Sequence, residues 1–233
     1  MSKKEIAVIG AGIQGVCNAL FLQKKGYTVN LFDKEEPGCA ASYGNAGHFS
    51  PYASLQLNRF DVLSDVPSML TNSRGPLALK WNYVYKMIPW LSKFVLNCSQ
   101  KKMMHTAKYM HQILDLSLSA YDELFDEIDL DGLVENKGIM YVWENKGIKS
   151  RELEIKIRNE LGIKQKILTP NEVHDLEPNI KPFYSGGVFY EYARHAKNPK
   201  KIIQKLFKNF INKGGRFEKI FIKDIKFDNK NPI

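Results

Sequence analysis

The sequence predicts an α/β fold in which a βαβ unit is interrupted by a region of helices and short strands, and three observations predict it. Residues 5–33 read strand, glycine turn, helix, strand; residues 79–128 carry helical periodicity; past residue 138, short β-branched and aromatic runs lead to a last helix and strand at residues 198–227. Apolar runs too short for helices, alternating with amphipathic stretches, are the pattern of a sheet carrying crossover helices.

Glu5 to Ile9 is an apolar, β-branched run short enough for a buried parallel strand. Gly10-Ala11-Gly12-Ile13-Gln14-Gly15 follows at once. Gly10 permits the tight turn, Gly12 lets backbone approach a pyrophosphate, and Gly15 lets the helix lie close to the strand. The helix presents its free N–H groups and positive dipole end to that anion. Val16, Ala19 and Leu20 share one face, Lys24 and Lys25 sit near the carboxyl end where positive charge is favourable, and Gly26 stops the helix. Tyr27 to Phe32 is the second strand, and Asp33 closes it where an acid accepts hydrogen bonds from a ribose 2′-OH. A lone glycine triplet is weak evidence, but with strand, helix and acid in place around it the segment predicts a dinucleotide site. Asp33 argues against NADP, whose 2′-phosphate a carboxylate repels, and leaves NAD and FAD both open.

The residues after Asp33 separate the two. Ser42-Tyr43-Gly44-Asn45-Ala46-Gly47-His48-Phe49-Ser50-Pro51 is a loop of small and polar residues, suited to bringing backbone N–H groups against a flat ring system. On these residues the sequence resembles the D-amino-acid oxidase superfamily of FAD-dependent oxidoreductases, most closely its bacterial D-amino-acid dehydrogenase branch. That branch pairs the glycine motif and the acid with a Ser-x-x-Asn-Ala-Gly-x-x-Ser-Pro segment against the flavin. Ser42, Asn45, Ala46, Gly47, Ser50 and Pro51 match it residue by residue. The resemblance implies an FAD-binding Rossmann-like βαβ domain with an inserted α+β substrate domain. It implies FAD held by Gly10, Ala11, Gly12, Ile13, Gln14, Gly15, Asp33, Lys34, Ser42, Asn45, Ala46 and Gly47, with His48 in a slot that varies in the family.

Composition bounds the rest. With 44% hydrophobic and 25% charged residues the chain is globular rather than disordered. Its net charge of +9 comes overwhelmingly from scattered lysines, whereas nucleic-acid readers concentrate charge and favour arginine, so nucleic-acid binding is not expected. Cys17, Cys39 and Cys98 are odd in number and lack CxxC spacing, which points away from a disulfide framework or a zinc site and towards a reducing compartment. No signal peptide is read ahead of the first strand, and no run of about eighteen apolar residues occurs. The expectation is a cytoplasmic protein, or one peripheral on the inner face of the plasma membrane. Leu77 to Cys98 carries Trp81, Tyr83, Tyr85, Trp90 and Phe94, interrupted by Lys80, Lys86 and Lys93. An amphipathic helix packed on its own domain is the expected form of that stretch, with an interfacial anchor as the alternative.

From Leu57 to Pro76 the signals are mixed, and with Pro67 and Pro76 as breaks the stretch reads as short helix and loop. Leu79 to Asn97 and Met103 to Ile128 read as a helical pair, the second through Ile113, Leu116, Ala120, Leu124 and Ile128. Asp122, Glu123, Asp126 and Glu127 read as its solvated face, and His105 and His111, six apart, lack metal-ligand spacing. No metal is expected.

Beyond Asp131-Gly132, Gly138 to Trp143 reads as a strand, Ser150 to Leu161 as a charged helix stopped by Gly162, and Lys166 to Leu168 as a short strand. Thr169-Pro170-Asn171-Glu172 is a capping box for a short helix broken before Pro178. Gly186 to Tyr190 is another strand, running into Glu191 to His195. In the family this region is an antiparallel sheet facing the flavin ring, which makes Tyr190, Tyr192, Arg194 and His195 pocket candidates beside His48. Asn198-Pro199 caps a helix through Ile202, Ile203, Leu206, Phe207 and Phe210, followed by Gly214-Gly215 and an alternating strand from Phe217 to Phe227. The resemblance sets this return beside the adenine, with Ile222 at a position usually held by valine.

The domains expected are therefore residues 1–78, the first part of the FAD domain; 79–197, the substrate domain; and 198–233, the return to the FAD domain. Family members run on past this point, so the chain reads as C-terminally truncated, inactive and poorly soluble as it stands. The resemblance implies FAD-dependent oxidative deamination of a D-amino acid, with electrons passed to a respiratory acceptor such as a quinone and a peripheral membrane contact. A glycine or sarcosine oxidase, a 2-hydroxy-acid dehydrogenase, and an inactive flavin-binding remnant are the alternatives.

Overall fold

The computed structural model describes residues 4–56, 60–72, 77–144, 151–228 and 231–232. In chain order the elements are β1 (Glu5–Ile9), α1 (Ile13–Lys24), β2 (Thr28–Asp33), β3 (His48–Phe49), α2 (Phe60–Thr71), a 3-10 turn (Trp81–Tyr83), α3 (Val84–Leu96), α4 (Gln100–Asp115) and α5 (Ser117–Phe125). They continue with β4 (Val134–Glu135), β5 (Ile139–Trp143), α6 (Glu152–Glu160), β6 (Lys166–Leu168), α7 (Pro170–Leu176), β7 (Gly186–Tyr190) and β8 (Arg194–Ala196). The last are α8 (Pro199–Asn212), β9 (Arg216–Lys219), β10 (Phe227–Asp228) and β11 (Asn231–Pro232). Two compact units result: Met1–Phe49 with Leu118–Ile139 and Glu191–Ile233, and Ser50–Ser117 with Met140–Tyr190.

The first unit is built on a parallel sheet in the order β1-β2-β9. Helices α1 and α8 cover one face of it. Val16, Ala19 and Leu20 of α1 meet Ile202, Ile203, Leu206 and Phe210 of α8 and Val29 and Leu31 of β2 in one buried cluster. At roughly 25 cal/mol per Å² of apolar area, side chains of this size contribute about 1.5–3 kcal/mol each relative to exposure. Strand β1 departs from the expectation of a strand buried on both faces: its burial alternates, and Ala7 and Ile9 stay exposed. Small antiparallel strands β3, β8 and β4 form a second sheet in this unit, with His48 opposite His195 and Glu135 opposite His195 on the other side.

The second unit carries the sheet β5-β7-β6, with β6 and β7 antiparallel. Leu168, Val173 and Tyr184 form its core against α7. The predicted capping box is present: Thr169 Oγ1 accepts from the Glu172 N–H at 3.3 Å, and a Glu172 carboxylate oxygen accepts from the Thr169 N–H at 2.9 Å. A separate cluster of Met103, Ala107 and Ile157 joins α4 to α6.

Three expectations are corrected. Pro67 lies inside α2 rather than ending it, because a proline removes one backbone bond and the helix continues past it, with Thr71 Oγ1 donating to the Pro67 carbonyl at 3.1 Å. The helix expected over Met103–Ile128 stops at Asp115, and α5 begins as a separate element. The strand expected over Phe217–Phe227 ends at Lys219, where its ladder with β2 runs out at Asp33. The acids at the end of α5 and just after it stay solvated as expected, with Glu123, Asp126 and Glu127 exposed, and surface ion pairs engage two of them: Lys24 bonds Glu123 at 2.7 Å and Glu127 at 3.1 Å, and Lys213 bonds Glu127 at 2.6 Å. These pairs, with Arg194 and Asp122, group residues 118–139 and 191–197 with the first unit, and residues 50–78 fall in the second. Leu57, Pro76 and Ser150 lie outside the described residues.

Candidate functional site

The glycine turn is stitched to the end of β2 at several points. The Gly10 N–H donates to the Phe32 carbonyl at 2.7 Å, and the Gly38 N–H donates to the Ala11 carbonyl at 3.0 Å. The Ala11 N–H donates to Asp33 Oδ2 at 2.6 Å, and the Glu35 N–H donates to Asp33 Oδ1 at 2.9 Å. Asp33 is thus a brace for the turn. A carboxylate has about four lone-pair sites, so acceptor capacity remains on both oxygens for ribose hydroxyls.

Gly15 is dictated by close approach. A Cβ built on it lies 1.7 Å from the Gly10 carbonyl oxygen, so only glycine lets α1 start this close to the turn. A Cβ on Gly12 meets Ser42 Oγ at 3.0 Å. Ser42 accepts the Ile13 N–H at 3.1 Å, so its hydroxyl oxygen already stands at the first turn of α1, whose N–H groups have no acceptor within the helix. That placement shows the helix end taking an oxygen acceptor, as a phosphate requires. Gln14 is exposed beside it, and so is Lys34 next to Asp33.

Asn45, Ala46 and Gly47 follow as one turn. Asn45 Oδ1 accepts the Gly47 N–H at 2.7 Å, and the Gly47 carbonyl accepts the Ala196 N–H at 2.7 Å, which docks the loop on β8. Gly47 has φ +71, and a Cβ there falls 2.4 Å from the Ala196 carbonyl oxygen, so the docking needs glycine. The side chains of Asn45 and Ala46 remain exposed. Ile222 lies in the irregular segment after β9, half-buried and off any strand; two residues before it, the Ile220 N–H donates to the Asp33 carbonyl at 2.8 Å. The residues present therefore fit FAD: a turn without Cβ atoms at Gly10, Gly12 and Gly15, a helix N-terminus beside it and a carboxylate held at the strand terminus, all in one unit.

The pocket candidates part company. His48 and His195 are cross-strand neighbours with ring centroids 5.5 Å apart. Arg194 is engaged in a two-bond fork with Asp122, one bond at 2.9 Å, which holds the Asp122 carboxyl below its usual range. That fork engages the Arg194 guanidinium within the first unit. Tyr192 is half-buried in the same unit. Tyr190 belongs to the second unit, where its ring stacks on Tyr52 with centroids 3.7 Å apart and planes 4° from parallel.

That stack lines a cavity of about 320 Å³ within the second unit, between the β5–β7 face and α6. Tyr52, Tyr141, Trp143 and Tyr190 form its aromatic wall, and Arg151, Glu154 and Arg158 its charged side. Tyr52 Oη lies 3.1 Å from Tyr141 Oη and accepts from Ser50 Oγ at 3.2 Å. Burial pushes the Tyr52 phenol well above its ordinary value of 10, so it stays protonated. The Arg158 guanidinium sits 5.7 Å from the Tyr190 ring centroid and bonds Glu154 at 3.2 Å, while its Nε–H and the Trp143 Nε1–H are buried without an acceptor among the described residues. With two guanidinium groups to one carboxylate, the cavity carries a net positive wall. Tyr52, Tyr141, Trp143 and Arg158 were not singled out from sequence; the only signal was the alternation of Tyr141 and Trp143 on one strand face.

Residues 5–226 match the DAO family, described as FAD dependent oxidoreductase. A D-amino-acid oxidase of Bradyrhizobium diazoefficiens is 31% identical over 216 residues, covering 91% of this chain and 51% of that protein. A D-amino acid dehydrogenase of Helicobacter pylori is 25% identical over 215 residues, covering 92% and 51%. Among solved structures, glycine oxidase from Bacillus cereus superposes with a TM-score of 0.59 at 19% identity, over 98% of this chain and 49% of that one. The chain spans about half the length of the relatives it matches.

Proposed function

This chain belongs to the DAO family of FAD-dependent oxidoreductases, and on that premise we propose that it serves oxidation of the carbon–nitrogen bond of a D-amino acid. The substrate Cα–H and amine give up two electrons and two protons, and the resulting imino acid takes up water to release a 2-oxo acid and ammonia. FAD, when bound, supplies the two-electron acceptor, and the electrons leave to a respiratory carrier such as a quinone. The observation that supports the reading is the seat of Ser42 on the Ile13 N–H, which ties the start of the Ser42–Gly47 loop to the glycine turn.

The roles of individual residues follow from their surroundings. Gly12 keeps the pyrophosphate path clear, Gly10 and Gly15 let the turn and α1 close up, the first-turn N–H of Gln14 meets the phosphate charge, and Asp33 takes the ribose hydroxyls while bracing the turn. Ser42, Asn45, Ala46 and Gly47 present backbone and small side chains to the ring system. In the second unit, the Arg158 Nε–H is offered as the donor to a substrate carboxylate, with the Tyr52, Tyr141 and Tyr190 wall taking an apolar or aromatic side chain.

The names of the two sequence relatives support the amino-acid substrate, and the fold supports the wider class alone. The test is substrate profiling of the 233-residue chain and of the same chain with any continuation of its reading frame. D-amino acids, glycine, sarcosine and 2-hydroxy acids are offered with oxygen and with a quinone or dye acceptor. Turnover of D-amino acids with the quinone, and an Arg158→Gln variant that raises KM about tenfold or more with little change in kcat, is the expected result. A profile favouring 2-hydroxy acids overturns the amine reading.

A further inference from the structure

Helix α6 of the second unit is fixed on one side and charged on another. Its Ile157 is buried with Met103 and Ala107 of α4, which holds the helix in place. Arg151 at its N-cap, with Glu154 and Arg158 after it, lines the cavity, because the i, i+3 and i, i+4 steps between them return to one side of a helix. Glu154 stands in the first turn, where free N–H groups favour a carboxylate. Its Oε1 accepts from Arg151 Nη1 at 2.8 Å and its Oε2 from Arg158 Nη1 at 3.2 Å, so one carboxylate bridges two guanidinium groups. On an exposed helix face such pairs are ordinary and contribute little. Here the Glu154 and Arg158 side chains are 12% and 14% exposed, and they face the aromatic wall of Tyr52, Tyr141 and Tyr190.

For charges drawn out of water, the count decides what else can enter. Among the described residues that line the cavity, these three are the only charged ones, two cations to one anion. The positive charge left over matches one carboxylate, and the Arg158 Nε–H is the donor without an acceptor among the described residues. A ligand with a second carboxylate brings in an anion for which no cation remains, since Glu154 already holds both guanidinium groups. Repulsion by Glu154 and lost hydration both oppose that second charge. Recognition of this kind rejects the wrong ligand by an unpaired charge rather than by size.

We infer that Glu154 is a specificity-determining residue: by occupying Arg151 it restricts the cavity to substrates with a single carboxylate, so amino acids with uncharged side chains enter and acidic ones are turned away. The inference rests on the reading that Arg158 receives the substrate carboxylate, and it holds whichever bond of the substrate is oxidised.

The test is calorimetric binding to the whole chain, which needs no turnover, with two pairs of ligands that differ by one carboxylate: D-glutamine with D-glutamate, and 2-hydroxypentanoate with 2-hydroxyglutarate. The wild type is expected to bind the one-carboxylate member of the preferred pair roughly tenfold more tightly, the scale of one charged hydrogen bond. Glu154→Gln keeps the shape of the side chain, releases the Arg151 charge and should bring the two-carboxylate member level with its partner or ahead of it. Arg151→Gln combined with Glu154→Gln returns the wall to one positive charge and should restore the wild-type order, which a variant that had merely lost its packing would not do. An unchanged preference in Glu154→Gln overturns the inference, and so does a double variant that keeps the Glu154→Gln order. Tighter binding of the hydroxy acids with the same charge pattern sinks the amine reading and supports the inference. A chain that binds no member of either pair overturns the placement of the carboxylate at Arg158, and the inference with it.

Discussion

Asp33 Oδ2 accepts the Ala11 N–H at 2.6 Å, so the acid that ends the second strand also holds the turn that begins the first helix. One side chain therefore carries two duties, shaping the cradle and receiving the cofactor. Asp33→Ala is expected to weaken FAD retention by about 1.5–3 kcal/mol, the scale of a charged hydrogen bond, and to lower stability as well. Asp33→Asn keeps an acceptor oxygen and should lose less on both counts. Flavin titration with parallel thermal melts checks this, and equal retention by wild type and Asp33→Ala refutes it.

Gly15 and Gly12 should fail in different ways. Gly15→Ala drives a methyl against the Gly10 carbonyl oxygen, 1.7 Å away, so backbone must move and the melting temperature should drop sharply. Gly12→Ala meets the tip of the Ser42 side chain at 3.0 Å, which can rotate, and should cost little stability. Gly12→Val fills the pyrophosphate path and should abolish flavin retention. Comparable melting temperatures for Gly15→Ala and Gly12→Ala would count against the account of the turn.

The Arg194–Asp122 fork predicts a pH dependence with a definite sign. The Arg194 guanidinium holds the Asp122 carboxyl below its ordinary value of 3.8, so the pair stabilises the folded chain above that pH, and the contribution disappears as pH falls through the lowered value. Asp122 is nearly half exposed, so solvent screening limits the gain to about 0.5–1 kcal/mol. Denaturant melts of Asp122→Asn at neutral and acid pH should differ from wild type at neutral pH and converge with it in acid. Divergence in acid is the adverse outcome.

Helix α7 rests on its first turn. Thr169→Ala should cost about 1 kcal/mol, the usual value for a lost N-cap. The Thr169 backbone N–H, with Lys166 behind it, draws the Glu172 carboxyl down to about 2, so the cap persists through ordinary acid and is lost only as pH falls through that value. Amide exchange at Val173 and Glu172 reports it, and fraying of α7 already at pH values near the ordinary carboxylate range contradicts it.

Thiol reactivity should be confined to one position. Burial pushes the Cys17 thiol up to about 12, and Cys98 is buried with its thiol donating to the Phe94 carbonyl at 3.3 Å, whereas Cys39 is half-exposed in the loop after β2. A disulfide reagent at mildly alkaline pH is expected to titrate Cys39 quickly and the others only on unfolding. Three fast thiols would show that the Cys17 and Cys98 surroundings open readily.

What the sequence by itself determined is local. The β1–turn–α1–β2 order, the Thr169–Glu172 box, the Asn198 cap and the strands at Lys166 and Gly186 are written in residues a few positions apart, where steric limits on backbone and short-range hydrogen bonds decide the outcome. The cofactor segment was legible for the same reason: Ser42 to Pro51 is continuous in the chain. Tertiary structure alone decided which charges are spent and which surfaces are left over. Nothing near Arg194 in the chain announces its partner, and its fork with Asp122 closes across 72 residues; the contact between the Tyr52 and Tyr141 hydroxyls closes across 89. Helical periodicity from Met103 to Ile128 is unbroken in the letters, yet α4 ends at Asp115 because its apolar positions pack in one unit and those of α5 in another. Burial is a property of what comes to lie opposite a residue, and no pattern along the chain specifies that.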